Sequence, residues 1–192
     1  IANPTKENLA EAIRLLEECL VYPHNLGEGK LHGALENDFM YLLGKAHELN
    51  GDKDKAMECW KAGMIAPEEP TAALYYNDAA PDKLFYAGLC CKAMGNTDKA
   101  KGRFNRLVVY GENHIFEDQK PDYFAVSLPD LLVWDGDLNE TNRVHCLYMM
   151  ALGHFGLGNY DKAEKFLTEA ERINPNHVGI LSSRSFFNLS EK

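Results

Sequence analysis

The chain has 192 residues, 45% of them hydrophobic and 26% charged, and its 29 acidic against 20 basic residues leave a formal charge of −9. That composition excludes a disordered tail or a disulfide-held miniprotein, and an acidic chain without a basic run is a poor match for nucleic acid or an anionic membrane surface. No stretch approaches the ~18 apolar residues that span a bilayer, and the N-terminus lacks a signal-peptide layout.

A leading helix is predicted within residues 1–22. Asn3-Pro4 is its start signal, and Leu9, Ala12, Ile13, Leu16, Cys19 and Leu20 recur at helical spacing. This helix has no partner and the chain opens on Ile1 rather than Met, so a piece of a longer protein is expected. An irregular stretch, Pro23 to His32, follows. Its Gly27-Glu28-Gly29-Lys30 lacks both the spacer and the Ser or Thr of a phosphate loop and reads as a turn.

One six-residue phrase then occurs three times: Gly51-Asp52-Lys53-Asp54-Lys55-Ala56, Gly95-Asn96-Thr97-Asp98-Lys99-Ala100 and Gly158-Asn159-Tyr160-Asp161-Lys162-Ala163. Gly takes the left-handed conformation that ends one helix, and the following Asp favours the first turn of the next. Each phrase therefore predicts a helix-turn-helix corner. Before each Gly, an apolar face carries a small residue at its centre: Met40, Leu43 and Gly44; Leu84, Ala87 and Gly88; Leu147, Met150 and Ala151. After it, Ala56 and Trp60, Ala100 and Phe104, and Ala163 and Leu167 pair a small with a large residue four apart, which allows close helix approach.

These units resemble tetratricopeptide repeats. The segment from Val144 to His177 is the best match, with Gly158, Ala163, Ala170 and Pro175 at the family's positions. In the first copy Gly63 replaces the usual Ala and Pro67 comes one residue early; in the second, Ala87 and Leu107 replace the usual Leu and Ala. The resemblance implies an all-α, right-handed superhelix. It comprises repeat 1 at 36–67, repeat 2 at 81–110, repeat 3 at 141–177, the leading helix, and a capping helix at 178–190. The corner glycines stand 44 and 63 residues apart against ~34 for uninterrupted repeats, so about 10 and about 29 residues are inserted. The first insertion includes Pro70 to Ala80. The second, 111–140, carries Tyr123, Phe124, Leu128, Leu131, Leu132, Val133 and Trp134 and is expected to pack against the array.

The resemblance also implies that first-helix residues line a concave surface. These are Asp38, Tyr41, Lys45 and Glu48, then Asp82, Phe85, Leu89 and Lys92, then His145, Tyr148, Leu152 and Phe155. Tyr41, Lys45, Phe85, Leu89, Lys92, His145, Tyr148, Leu152 and Phe155 are the candidate binding residues. Three uses of that face are open: holding a peptide or protein, receiving the long insertion, or packing between repeats. The family's clamp for a C-terminal carboxylate is not matched, because its positions read Tyr41, Lys45, Tyr86, His145 and Met149.

Candidate chemistry is sparse. Asp135-Gly136-Asp137-Leu138-Asn139 begins like a calcium loop, but Glu140 and Cys146 stand where the turn Gly and bidentate Glu are required, so a turn or helix cap is expected. His24, His32, His47, His114, His145, His154 and His177 show no metal-ligand spacing, and His47 and His154 are expected inside helices. Carboxylates at Asp118, Asp122, Asp130 and Asp135 could pair only if the fold brings them together. The odd set Cys19, Cys59, Cys90, Cys91 and Cys146 reads as reduced core residues, which favours the cytoplasm.

The expected function is a non-catalytic docking scaffold, with a protein or peptide as partner and no metal or cofactor. Tyr22-Pro23-His24-Asn25-Leu26-Gly27, the run from Asp122 to Leu132, and Asp137-Leu138-Asn139 also resemble the C-terminal repeat region of large bacterial proteins. Upstream, those proteins carry an uncharacterised β-rich, mutarotase-like domain. The alternatives are therefore an appendage packed on an upstream carbohydrate-active-type domain, or part of an enzyme site.

Overall fold

A computed structural model describes residues 4–27, 29–31, 33–71, 80–119 and 137–190. Among them the regular elements are all helical: α1 (Lys6–Cys19), a 3-10 turn (His24–Leu26), α2 (Asn37–Leu49), α3 (Lys53–Gly63), α4 (Lys83–Ala93), α5 (Thr97–His114), α6 (Leu138–Gly156), α7 (Tyr160–Ile173) and α8 (Val178–Ser190). Two compact units result, one of Ile1–Glu68 and Lys83–Arg103, the other of Glu69–Asp82 and Phe104–Lys192.

All three corners form as the repeated phrase predicts. Gly51, Gly95 and Gly158 have φ of 88°, 78° and 82°, the left-handed region in which a side chain is strained. Each corner closes with the same two bonds. Asp52 N–H reaches His47 O at 2.8 Å and Gly51 N–H reaches Glu48 O at 3.0 Å; the second corner pairs Asn96 with Cys91 and Gly95 with Lys92, the third Asn159 with His154 and Gly158 with Phe155. This Schellman pattern satisfies the carbonyls that the ending helix leaves unpaired. Asp54, Asp98 and Asp161 fall in the first turns of the helices that follow.

In the first unit α1 packs on α2, α2 on α3 and α4, and α3 on α4. Its core holds Ala56, Trp60 and Cys90, with Tyr41, Met64 and Met94 against them. Helix α1 starts from Thr5, whose hydroxyl accepts the Asn8 N–H at 3.2 Å; the expected signal residue Asn3 lies outside the described residues. Of the predicted core cysteines, Cys90, Cys91 and Cys146 are buried, but Cys19 is exposed and Cys59 half-buried. Cys19 ends the last turn of α1, on the exposed side with Glu17 and Glu18.

Gly44 is required by packing, since a methyl group there would collide with the Trp60 indole. The indole N–H donates to Tyr41 O at 3.3 Å, tying α3 to α2. Gly44→Ala is therefore expected to lose about 1–3 kcal/mol through overpacking, read as a lower urea midpoint with an unchanged slope.

In the second unit α6 packs on α7, and α8 packs on both. Every residue of α6 from Val144 to Gly156 is buried. Gly153 and Gly156 lie against the backbone and ring of Phe104. Helix α5 continues to His114, four residues into the 111–140 segment, because Gly111 acts there as a contact residue: a Cβ would come within 2.6 Å of Cys146 O. At the other end α6 begins at Leu138, where Asp137 caps it by accepting the Asn139 and Glu140 N–H groups. Residues 120–136 of the long insertion and 72–79 of the first lie outside the described residues.

Candidate functional site

The predicted binding residues fall into two settings. In the first unit, Tyr41 is half-buried, with its ring 6.1 Å from that of Tyr86, and Phe85 meets Tyr86 edge-on at 5.4 Å. Burial raises the Tyr41 hydroxyl to about 12, so it stays protonated. Lys45 forms an ion pair with Glu48 one turn on, while Lys92 is exposed. Phe85 and Leu89 are buried, at 1% and 7% exposure. Of this set Lys92 is exposed and Tyr41 and Lys45 are half-buried, as is Tyr86, which lies outside the set.

In the second unit His145, Tyr148, Leu152 and Phe155 are all buried. Helix α8 seats on two of them. Phe187 stacks on Phe155 with ring centres 3.9 Å apart, and Phe186 lies 5.7 Å away. The Tyr148 hydroxyl is 3.3 Å from Ser183 Oγ, the Tyr148 ring is 5.2 Å from that of His177, and Gly179 lies so close to Tyr148 that a Cβ would fall within 2.8 Å. His145 stands edge-on to Tyr110 at 5.6 Å and bonds to the Thr71 backbone. Burial lowers its imidazole to about 4, with His177 and His114 adding like-charge repulsion.

Three polar residues outside the predicted set organise these helices. Asn37 Nδ2 donates to Gly63 O at 2.8 Å and Ile65 O at 2.7 Å, and Arg103 Nη2 donates to Met64 O at 2.7 Å. Together they close the C-terminus of α3. Asn142 does the same for α5, donating to His114 O at 2.7 Å. A buried Asn on an otherwise apolar helical face was the available sequence signal, because such an amide must find partners.

The remaining polar candidates also serve structure. His47 and His154 are buried, and the His154 ring stacks on Phe166 at 5.6 Å. Asp118 accepts from Asn139 Nδ2 at 3.3 Å, whereas Asp122, Asp130, Asp135, Gly136, Tyr123, Phe124 and Trp134 lie outside the described residues. Burial pushes the Cys90 and Cys146 thiols up to about 12, which keeps them un-ionised. Among the described residues no helix is long and apolar enough to cross a membrane.

Two family models, each described as a tetratricopeptide repeat, match residues 38–62 and 144–177. These fall on the first and third predicted helix pairs. No solved structure matches the chain.

Proposed function

From a chain that carries tetratricopeptide repeats, a class that generally mediates protein–protein interaction and is typically non-catalytic, we propose a docking module that holds a peptide or protein segment on its first-helix face. Contact is made on the α2–α4 surface through Tyr41, Lys45, Tyr86 and Lys92. The observation that carries this reading is the tyrosine pair, two half-buried rings from neighbouring helices, with Lys45 one turn on from Tyr41 along α2 and Lys92 exposed further along α4. Such rings supply contact area at low entropic cost, and the lysines add attraction for acidic groups. The same positions in the second unit, Tyr148 and Phe155, hold α8 instead.

A photo-crosslinking residue placed at Lys92 in cells that make the full chain tests this. A discrete protein adduct is expected from that position and not from Lys165, which is exposed on α7. No adduct at Lys92, or equal adducts from both positions, overturns the assignment of the face.

A further inference from the structure

The contacts at the start of α8 form a latch built on a histidine. His177 precedes the helix, and its Nδ1 accepts the Ile180 N–H at 3.2 Å, as an N-cap side chain does. That bond requires an unprotonated Nδ1. Protonation turns the acceptor into a donor and places a positive charge at the positive end of the α8 dipole, so both effects oppose helix formation.

A hydrogen bond to its own backbone favours the charged form of His177, but burial outweighs it. From α6, His177 faces the Tyr148 ring and is close enough to His145 to repel it when both are charged. His145 is buried, and its Nε2 has no hydrogen-bond partner among the described residues. His114, on α5, adds a third imidazole to the field at His145, and its own carboxylate partner is Glu117 at 2.7 Å. Tyr110 stands between, with its ring on those of His114 and His145. The carboxylates that α7 presents to α8, Glu164 and Glu171, are held by Arg184. On the near side of His177 is the chain turn, where its own N–H donates to Asn174 O at 3.3 Å.

We propose that α8 is a pH-sensitive cover: with His177 neutral it is capped and seated on Tyr148 and Phe155, and protonation of His177 releases it and bares those two aromatic residues. The sign follows from burial, which depresses the His177 pKa below 6.5. A depressed histidine contributes stability that is intact above the unfolded value and is lost as pH falls through the folded one. The window therefore opens below about pH 6.5. This inference is independent of which partner the α2–α4 surface takes.

Hydrogen exchange of the full chain at pH 7.5, 6.0 and 5.0, with times scaled for the intrinsic rate, tests the latch. Amides of α8 are expected to lose about fivefold or more in protection between pH 7.5 and 5.0, the factor carried by one N-cap, while α2 and α3 keep theirs. In His177→Asn, whose side chain can cap but takes up no proton, α8 protection should stay level. Three results overturn the proposal: level α8 protection in the wild type, a parallel loss in the variant, or a loss shared equally by α2 and α3. Should the variant fail to seat α8, an NMR titration of the wild-type His177 ring decides, and a pKa at or above 6.5 refutes the latch.

Discussion

The Ala163→Asp variant should lose about 3–5 kcal/mol of stability, the cost of an uncompensated charge in a packed interior. Ala163 has no exposed surface, and with Leu167 and Ala170 it forms the stripe by which α7 meets α6. On the α6 side every residue from Val144 to Gly156 is buried, so the new carboxylate would enter a packed interior. The carboxyl escapes part of the penalty by holding a proton, which raises its folded pKa. A raised pKa means that stability is fullest at low pH and falls as pH rises, so the deficit relative to wild type is larger at pH 7 than at pH 4.5. Urea unfolding of both proteins at the two pH values measures it, and equal midpoints would place Ala163 outside the helix contact.

The second large effect is expected at Phe104, where truncation to Ala costs about 3–5 kcal/mol. The ring is 1% exposed and fills the space left by the absent side chain of Gly156, while the Phe104 carbonyl lies where a Cβ on Gly153 would come within 2.6 Å. Large and small residues thus interlock between α5 and α6. Gly156→Ala alone should also destabilise, by about 1–3 kcal/mol, because its methyl group collides with the ring. Combined with Phe104→Ala, however, the methyl group enters the cavity that truncation leaves. The double-variant loss should be smaller than the summed single losses by about 0.5–3 kcal/mol. Strict additivity in a double-mutant cycle would show that ring and glycine do not meet.

The sequence was most informative where structure is governed by near neighbours. The corners at Gly51, Gly95 and Gly158 were legible because a left-handed residue, the two closing bonds and the following Asp all lie within eight residues. The small–large faces were legible for the same reason, since residues four apart share a helix side. Capping by Asp137 followed from its place before Asn139 and Glu140. Gly111 shows the limit: a glycine that could have broken a helix instead lets α5 approach α6, and only the position of Cys146 distinguishes the two roles.

Long-range closures were not legible. Asn37 reaches carbonyls 26 and 28 residues away, and Arg103 reaches one 39 residues back. No local pattern carries those distances, because the cost of closing a loop changes slowly with its length. The candidate site divided along the same line. First-helix spacing indicated which residues share a face, Tyr41 with Lys45 and Tyr148 with Phe155. It contained nothing about what would cover that face.

By itself, then, the sequence determined an all-helical chain of paired helices with three left-handed corners, an acidic surface and a set of aromatic first-helix positions. Tertiary structure alone decided which of those positions meet solvent. Tyr41 stays partly open beside Tyr86, while Tyr148 and Phe155 lie under α8 with His177 at the edge of the cover. Periodicity specifies the direction in which a side chain leaves its helix, but burial depends on the segment that arrives there, and that choice is made by packing among parts of the chain far apart in sequence.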